Sequence, residues 1–118
     1  MRAIYFNEKE NNKISIEDIK DDIDVFYKML DCRAFDMPYR KIGNKHYIII
    51  CDDEGLLTNR AVSAVNLDRK EVMLVGSLLI VNYAHDGNIT GLDDVDIATI
   101  LSHCYETKDG VKLIDLDY

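Results

Sequence analysis

Few residues in this chain have the types and spacing that covalent chemistry requires. Cys51 stands directly before the acidic turn Asp52-Asp53-Glu54, and His85 sits in a later turn. Together they form the one trio that could set a thiol beside a base and a carboxylate. No basic residue adjoins Cys51 to lower its pKa, and no second His, Cys or spaced carboxylate adjoins His85. The acidic turn lacks the alternating D-x-D-x-D-G spacing that wraps oxygens around a cation. Asp93, Asp94 and Asp96 are accounted for by helix capping. Cys32, Cys51 and Cys104 are widely spaced, with no CxxC pair, which argues against a zinc site and a disulfide framework. There is no glycine-rich phosphate loop, no GxSxG and no HExxH. The expectation is a non-enzymatic protein that uses no metal and no cofactor.

Binding is the chemistry that remains. The connection after the acidic turn holds Asn59 and Arg60 near its start and Arg69 and Lys70 near its end. These side chains could hydrogen-bond a base, a phosphate or a protein, with Tyr83 and His85 as stacking groups and Glu54 beside them. Asn59 has two readings: it closes an Asx turn, or it projects with Arg60 from the sheet edge as a recognition pair. The seven tyrosines suit an interface, because each offers apolar area and a hydroxyl at low entropic cost; the plainer reading is sheet positions with one wet end.

The net charge of -8 disfavours direct nucleic-acid binding. It suits solubility, or an acidic face that docks on a basic protein, including one that normally holds nucleic acid. The odd, scattered cysteines read as reduced thiols, no leader segment is apparent, and no apolar stretch is long enough to span a membrane. A cytoplasmic protein is expected, with a homodimer compatible.

The 118 residues, 47% hydrophobic and 31% charged, read as one domain, 1–118. The apolar runs Tyr47–Cys51 and Val72–Tyr83 read as buried strands of one sheet. Arg2–Phe6 reads as a first strand. Ser15-Ile16-Glu17-Asp18 has capping-box form, and Ile16, Ile19, Ile23, Phe26 and Leu30 fall on one helical face. The spacing therefore predicts a helix over Ile16–Asp31, against a short return strand over Lys13–Ile16. Ala34–Lys41 reads as a strand with Pro38 at an edge or bulge. Glu54-Gly55 ends the strand from Lys45, with Gly55 supplying positive φ, and residues 56–71 form a long connection. Asp93 and Asp96 cap a second helix, with Leu92 and Ile97 as a staple and Ile97, Ile100, Leu101 and Cys104 as its buried face. Val111, Leu113 and Ile114 add an edge strand. The fold class is α+β: a small mixed or antiparallel sheet with two helices.

A family resemblance runs from Ile48 to Leu101. Its features are Ile48-Ile49-Ile50, Asp53-Glu54-Gly55, Asn59, Val75-Gly76-Ser77 before an apolar strand, Gly87 in a turn, and Leu92-Asp93-Asp94-Val95-Asp96 opening the last helix. In that order they resemble the phage and mobile-element family catalogued as domain of unknown function 3846. Asp68-Arg69-Lys70-Glu71 and the tail after Cys104 depart from it. The resemblance implies a small α+β protein from a phage, plasmid or low-GC bacterium, with no family catalytic residues to carry over. Its association with anti-restriction genes implies an anti-defence inhibitor of anti-CRISPR or anti-restriction type, acting on a host protein in the host cytoplasm. The alternative is a small-ligand binder that sequesters a nucleotide signal as an oligomer.

Overall fold

The computed structural model describes residues 1–55 and 60–118. The elements are β1 (Arg2–Asn7), a single 3-10 turn (Glu8–Glu10), β2 (Lys13–Asp18), α1 (Ile23–Leu30), β3 (Phe35–Asp36), β4 (Tyr39–Ile42) and β5 (Lys45–Asp52). There follow β6 (Val62–Asn66), β7 (Glu71–Val75), β8 (Leu78–Tyr83), β9 (Ile89–Thr90), α2 (Asp94–Ser102), β10 (Cys104–Thr107) and β11 (Gly110–Ile114). Two α-helices and eleven strands among the described residues make a mixed, mostly-β fold.

There are two sheets, not one. The larger runs β2-β1-β8-β5, with β3 and β4 both on the outer side of β5 and β9 on β8, all antiparallel. The smaller runs β10-β11-β6-β7, with β11 and β6 parallel. Side-chain alternation splits the core. Ile50, Leu79 and Val81 face α1, whose Phe26 and Leu30 cover them. Tyr47, Ile49, Cys51, Leu78 and Ile80 face the opposite way, onto α2 and the smaller sheet. Burial on both faces explains why β5 and β8 read as unbroken apolar runs.

The first helix is shorter than its spacing predicts. Lys13–Asp18 pairs residue for residue with Arg2–Asn7, the return-strand alternative. The hairpin closes over Asn11 and Asn12, both left-handed (φ 59° and 56°), a conformation Asn tolerates. Ser15 caps nothing; its hydroxyl donates to Glu17. The N-cap is Asp22, whose carboxylate accepts from the Asp24 N–H at 2.9 Å.

The run Val72–Tyr83 is also divided. Gly76, at φ 79°, turns the chain between β7 in one sheet and β8 in the other. Its N–H donates to the Ala61 carbonyl, and a Cβ there would lie 2.8 Å from Arg60 Nε. The connection 56–71 contains β6. Ala34–Lys41 breaks at Met37-Pro38 into β3 and β4, while the Pro38 carbonyl still accepts from the Ile49 N–H. Gly55 is not at positive φ; a Cβ there would meet Val75 Cγ2 at 2.6 Å, so close approach is what requires glycine. On α2, Ile97 and Ile100 are buried, but Leu101 is exposed and Cys104 opens β10 instead.

Candidate functional site

Strand register builds an aromatic ledge. Tyr39 pairs with Ile48, and Ile48 with Val81, so these side chains share the α1 face of the sheet. His46, two residues before Ile48, and Tyr83, two after Val81, fall on that face too. The Tyr39 and His46 rings stack at 4.7 Å and 14°, and Tyr83 meets Tyr39 at 4.7 Å and 56°. The Tyr39 and Tyr83 hydroxyls are hydrogen-bonded to each other. His46 Nε2 lies 3.1 Å from the Tyr118 carbonyl oxygen. The guanidiniums of Arg40 and Arg69 each sit within 5 Å of the Tyr118 ring centre, at 4.8 and 4.9 Å. Tyr118 donates its hydroxyl to Glu71, which holds the Glu71 carboxyl below the usual range, with Arg69 adding to the effect. Tyrosine and arginine gathered on an exposed edge is the composition of a recognition surface.

Arg60 lies elsewhere and points inward. Nε donates to Glu8 at 3.0 Å, Nη1 to Asp52 at 2.8 Å and Nη2 to the Leu30 carbonyl at 2.9 Å. The second Glu8 oxygen accepts from the Ala61 N–H. Burial works against the charge, and the bonds to Asp52 and Glu8 more than offset it, so the guanidinium pKa is raised. Beside this cluster is a cavity of about 260 Å³, lined by Asp31, Cys32, Arg33 and Glu54 as well as Glu8, Asp52 and Arg60. Glu54 pairs with Arg33 at 2.8 Å.

The residues singled out from sequence are therefore not gathered in one place. Arg60 and Glu54 stand near Gly76, before the start of β8; Tyr83 ends that strand and His85 lies beyond it, exposed in the β8–β9 turn. Seven residues of near-extended chain separate Gly76 from Tyr83, roughly 20 Å. Asn59 lies outside the described residues. Cys51 pairs with Leu78, so it too is a strand's length from His85. Burial pushes its thiol up to about 12. The trio of Cys51, His85 and the acidic turn is not assembled.

Sequence reasoning missed Tyr39 beside Tyr83, His46 stacked on Tyr39, and Tyr118 against Arg40 and Arg69. The turn at Gly43-Asn44 held the signal for the first two, since a two-residue hairpin fixes which residues of β4 and β5 oppose one another. It also missed the setting of Asp96, which is 3% exposed. The capping box with Asp93 is as read, but Asp96 also accepts from Lys45 Nζ at 2.8 Å, Tyr47 OH at 2.9 Å and Asn82 Nδ2 at 3.2 Å. These bonds tie α2 to β5 and β8.

A second surface surrounds the start of α1. Residues 17–24 hold Glu17, Asp18, Asp21, Asp22 and Asp24 against a single cation, Lys20. Among the described residues no salt bridge engages Asp21, Asp22 or Asp24. Ile23 stands 61% exposed among them, and Tyr27, one helical turn on, is also exposed and packs an edge on Phe35 at 4.9 Å. No helix is long and apolar enough to cross a membrane among the described residues.

No curated protein and no solved structure matches the chain. A family model matches residues 1–105, from β1 into β10, well beyond the Ile48–Leu101 block that carries the resemblance and including the Asp68–Glu71 turn that departs from it. With that share of its length matched, the chain belongs to the family described as Domain of unknown function (DUF3846).

Proposed function

We propose that this chain is a non-enzymatic protein-binding module whose acidic α1 surface docks on a basic protein. The observation that carries this reading is the apolar Ile23, exposed amid Asp21, Asp22 and Asp24, which no salt bridge engages among the described residues. An isolated acidic turn needs no apolar centre, whereas a docking surface combines an anchor with a charged rim that steers encounter. In line with the family resemblance, the proposed target is a host defence protein, defined by its chemistry as one whose basic groove normally holds nucleic acid, and the proposed setting is the host cytoplasm. Affinity capture from a defence-bearing bacterial lysate tests it. Wild-type protein should retain a basic protein that is lost with Asp21→Lys plus Asp24→Lys, lost with Ile23→Ser, and weakened as salt rises. Equal capture by wild type and the charge-reversed variant would sink the reading.

The second reading, a nucleotide-signal binder, draws support from the ledge alone. Tyr39, His46 and Tyr83 offer stacking faces. A thermal-shift panel of cyclic and linear nucleotides checks it: a ligand raises the melting temperature with concentration, and Tyr39→Ala removes the response.

A further inference from the structure

The outward face of the smaller sheet is apolar and uncovered. Ala64, Cys104 and Leu113 point inward to the core, so Val65, Tyr105, Lys112 and Ile114 beside them point away. On β7 a register shift after the Ala64–Leu74 pair leaves both Met73 and Leu74 against the core and sets Val72 opposite Val65. Pairing sets Ile114 beside Val65 and Val65 beside Val72, while Tyr105 pairs with Lys112 next to them. Leu67 follows at the rim. None of these apolar side chains joins either core cluster. Val72 is 45% exposed, Tyr105 56% and Leu67 59%. A sheet with one wet face ordinarily alternates apolar-in and polar-out, and this one does not.

The charge of this face is also unlike the rest. Its strands and turns carry Arg69, Lys70, Lys108 and Lys112 against Asp68, Glu71, Glu106, Asp109 and Asp115, a nearly balanced set in a chain of net charge -8. We propose that this face binds a second copy of the chain, sheet against sheet. On most approaches two copies repel. Here nearly neutral surfaces meet, apolar rows cover each other, and the cations and carboxylates of one copy have opposite charges available on the other. A strongly acidic or basic foreign partner gains no such match.

Four strands about 4.8 Å apart and five residues long make a face on the order of 250 Å². That is well below the roughly 800 Å² per partner of a standard interface, so the pair is weak and reversible. The face lies across the larger sheet from α1, so the pair presents two acidic α1 surfaces outward.

Sedimentation equilibrium of the full chain from about 20 μM to about 2 mM tests this. The weight-average mass should rise from the monomer value of 13.6 kDa toward twice that value. The rise should be greater at about 0.5 M salt than at about 0.05 M, because salt screens the repulsion between acidic copies. Val72→Lys should hold the protein at the monomer mass with its melting temperature little changed; if it unfolds instead, Tyr105→Lys on the exposed β10 edge makes the same test. A monomer mass at every concentration, an association that salt weakens, or one that these lysines leave intact would overturn the proposal. None of those results bears on capture of a partner through α1, which salt weakens.

Discussion

Arg60 Nη2 donates to the carbonyl of Leu30 at 2.9 Å, so a residue on the way into the smaller sheet closes the C-terminus of α1, on the far layer of the molecule. The same guanidinium binds Asp52 at the end of β5 and Glu8 after β1. Helix ends leave carbonyls unpaired, and a cation suits their dipole. One side chain thus locks three elements.

Arg60→Ala should destabilise the fold by about 2–4 kcal/mol, because Asp52, Glu8 and the Leu30 carbonyl each lose a donor, and the two carboxylates a cation, in a mostly buried setting. Arg60→Lys should recover only part, since an ammonium cannot reach all three. Urea unfolding with both variants measures the difference.

Gly76→Ala should cost about 1–3 kcal/mol, from a non-glycine residue at φ 79° and from the collision with Arg60. The two causes separate in a double-mutant cycle. In the Arg60→Ala background the collision vanishes and only the backbone part persists, so the costs are less than additive.

Asp96 gives a pH dependence with a definite sign. Burial alone would raise its pKa from 3.8, but the bonds from Lys45, the Asp93 N–H and Tyr47 outweigh it and lower it. A carboxyl with a folded pKa below its unfolded one adds stability above about pH 4, and loses that stability as pH falls through the folded value. Asp96→Asn should cost about 1–3 kcal/mol at neutral pH and flatten the decline in melting temperature between about pH 4 and pH 2.

The thiols should differ in reactivity. Burial pushes Cys51 and Cys104 up to about 12, and it raises Cys32 as well, with Asp52 adding to the effect. Cys32 is partly exposed beside the Arg60 cavity. Iodoacetamide at about pH 8 should therefore label Cys32 slowly and leave Cys51 unlabelled until denaturant is added, as peptide mass mapping would read out. Fast labelling of Cys51 in the native protein would contradict its placement.

Local signals were legible where the structure is local. The capping box at Asp93 and Asp96 and the apolar runs of β5 and β8 could be read directly, because neighbours in sequence decide them. Ile16–Asp18 misled because its spacing satisfies a helix, yet β1 offers a full ladder of backbone bonds, and tertiary pairing overrides propensity. A single glycine at 76 split what composition read as one strand. Arg60 was noticed, but its partners Glu8 and Leu30 lie 52 and 30 residues away, and no spacing rule reaches that far. The ledge was half legible for the same reason: Tyr83 stands out alone, while Tyr39 and His46 join it through pairing.

The parallel contact between β11 and β6 has a consequence for how the chain acquires its shape during synthesis. Leu113 and Ile114 take their places beside Ala64 and Val65, which leave the ribosome about fifty residues earlier. Until β11 emerges, the β6–β7 hairpin has no neighbour on that side, and the inner face of the larger sheet is roofed only in part. The β1–β2 hairpin and α1, all local or near-local, can form while translation continues. The smaller sheet closes last, so in the nascent protein the apolar rows of β6 and β7 are exposed on both sides, and this interval is when they are most open to wrong pairing.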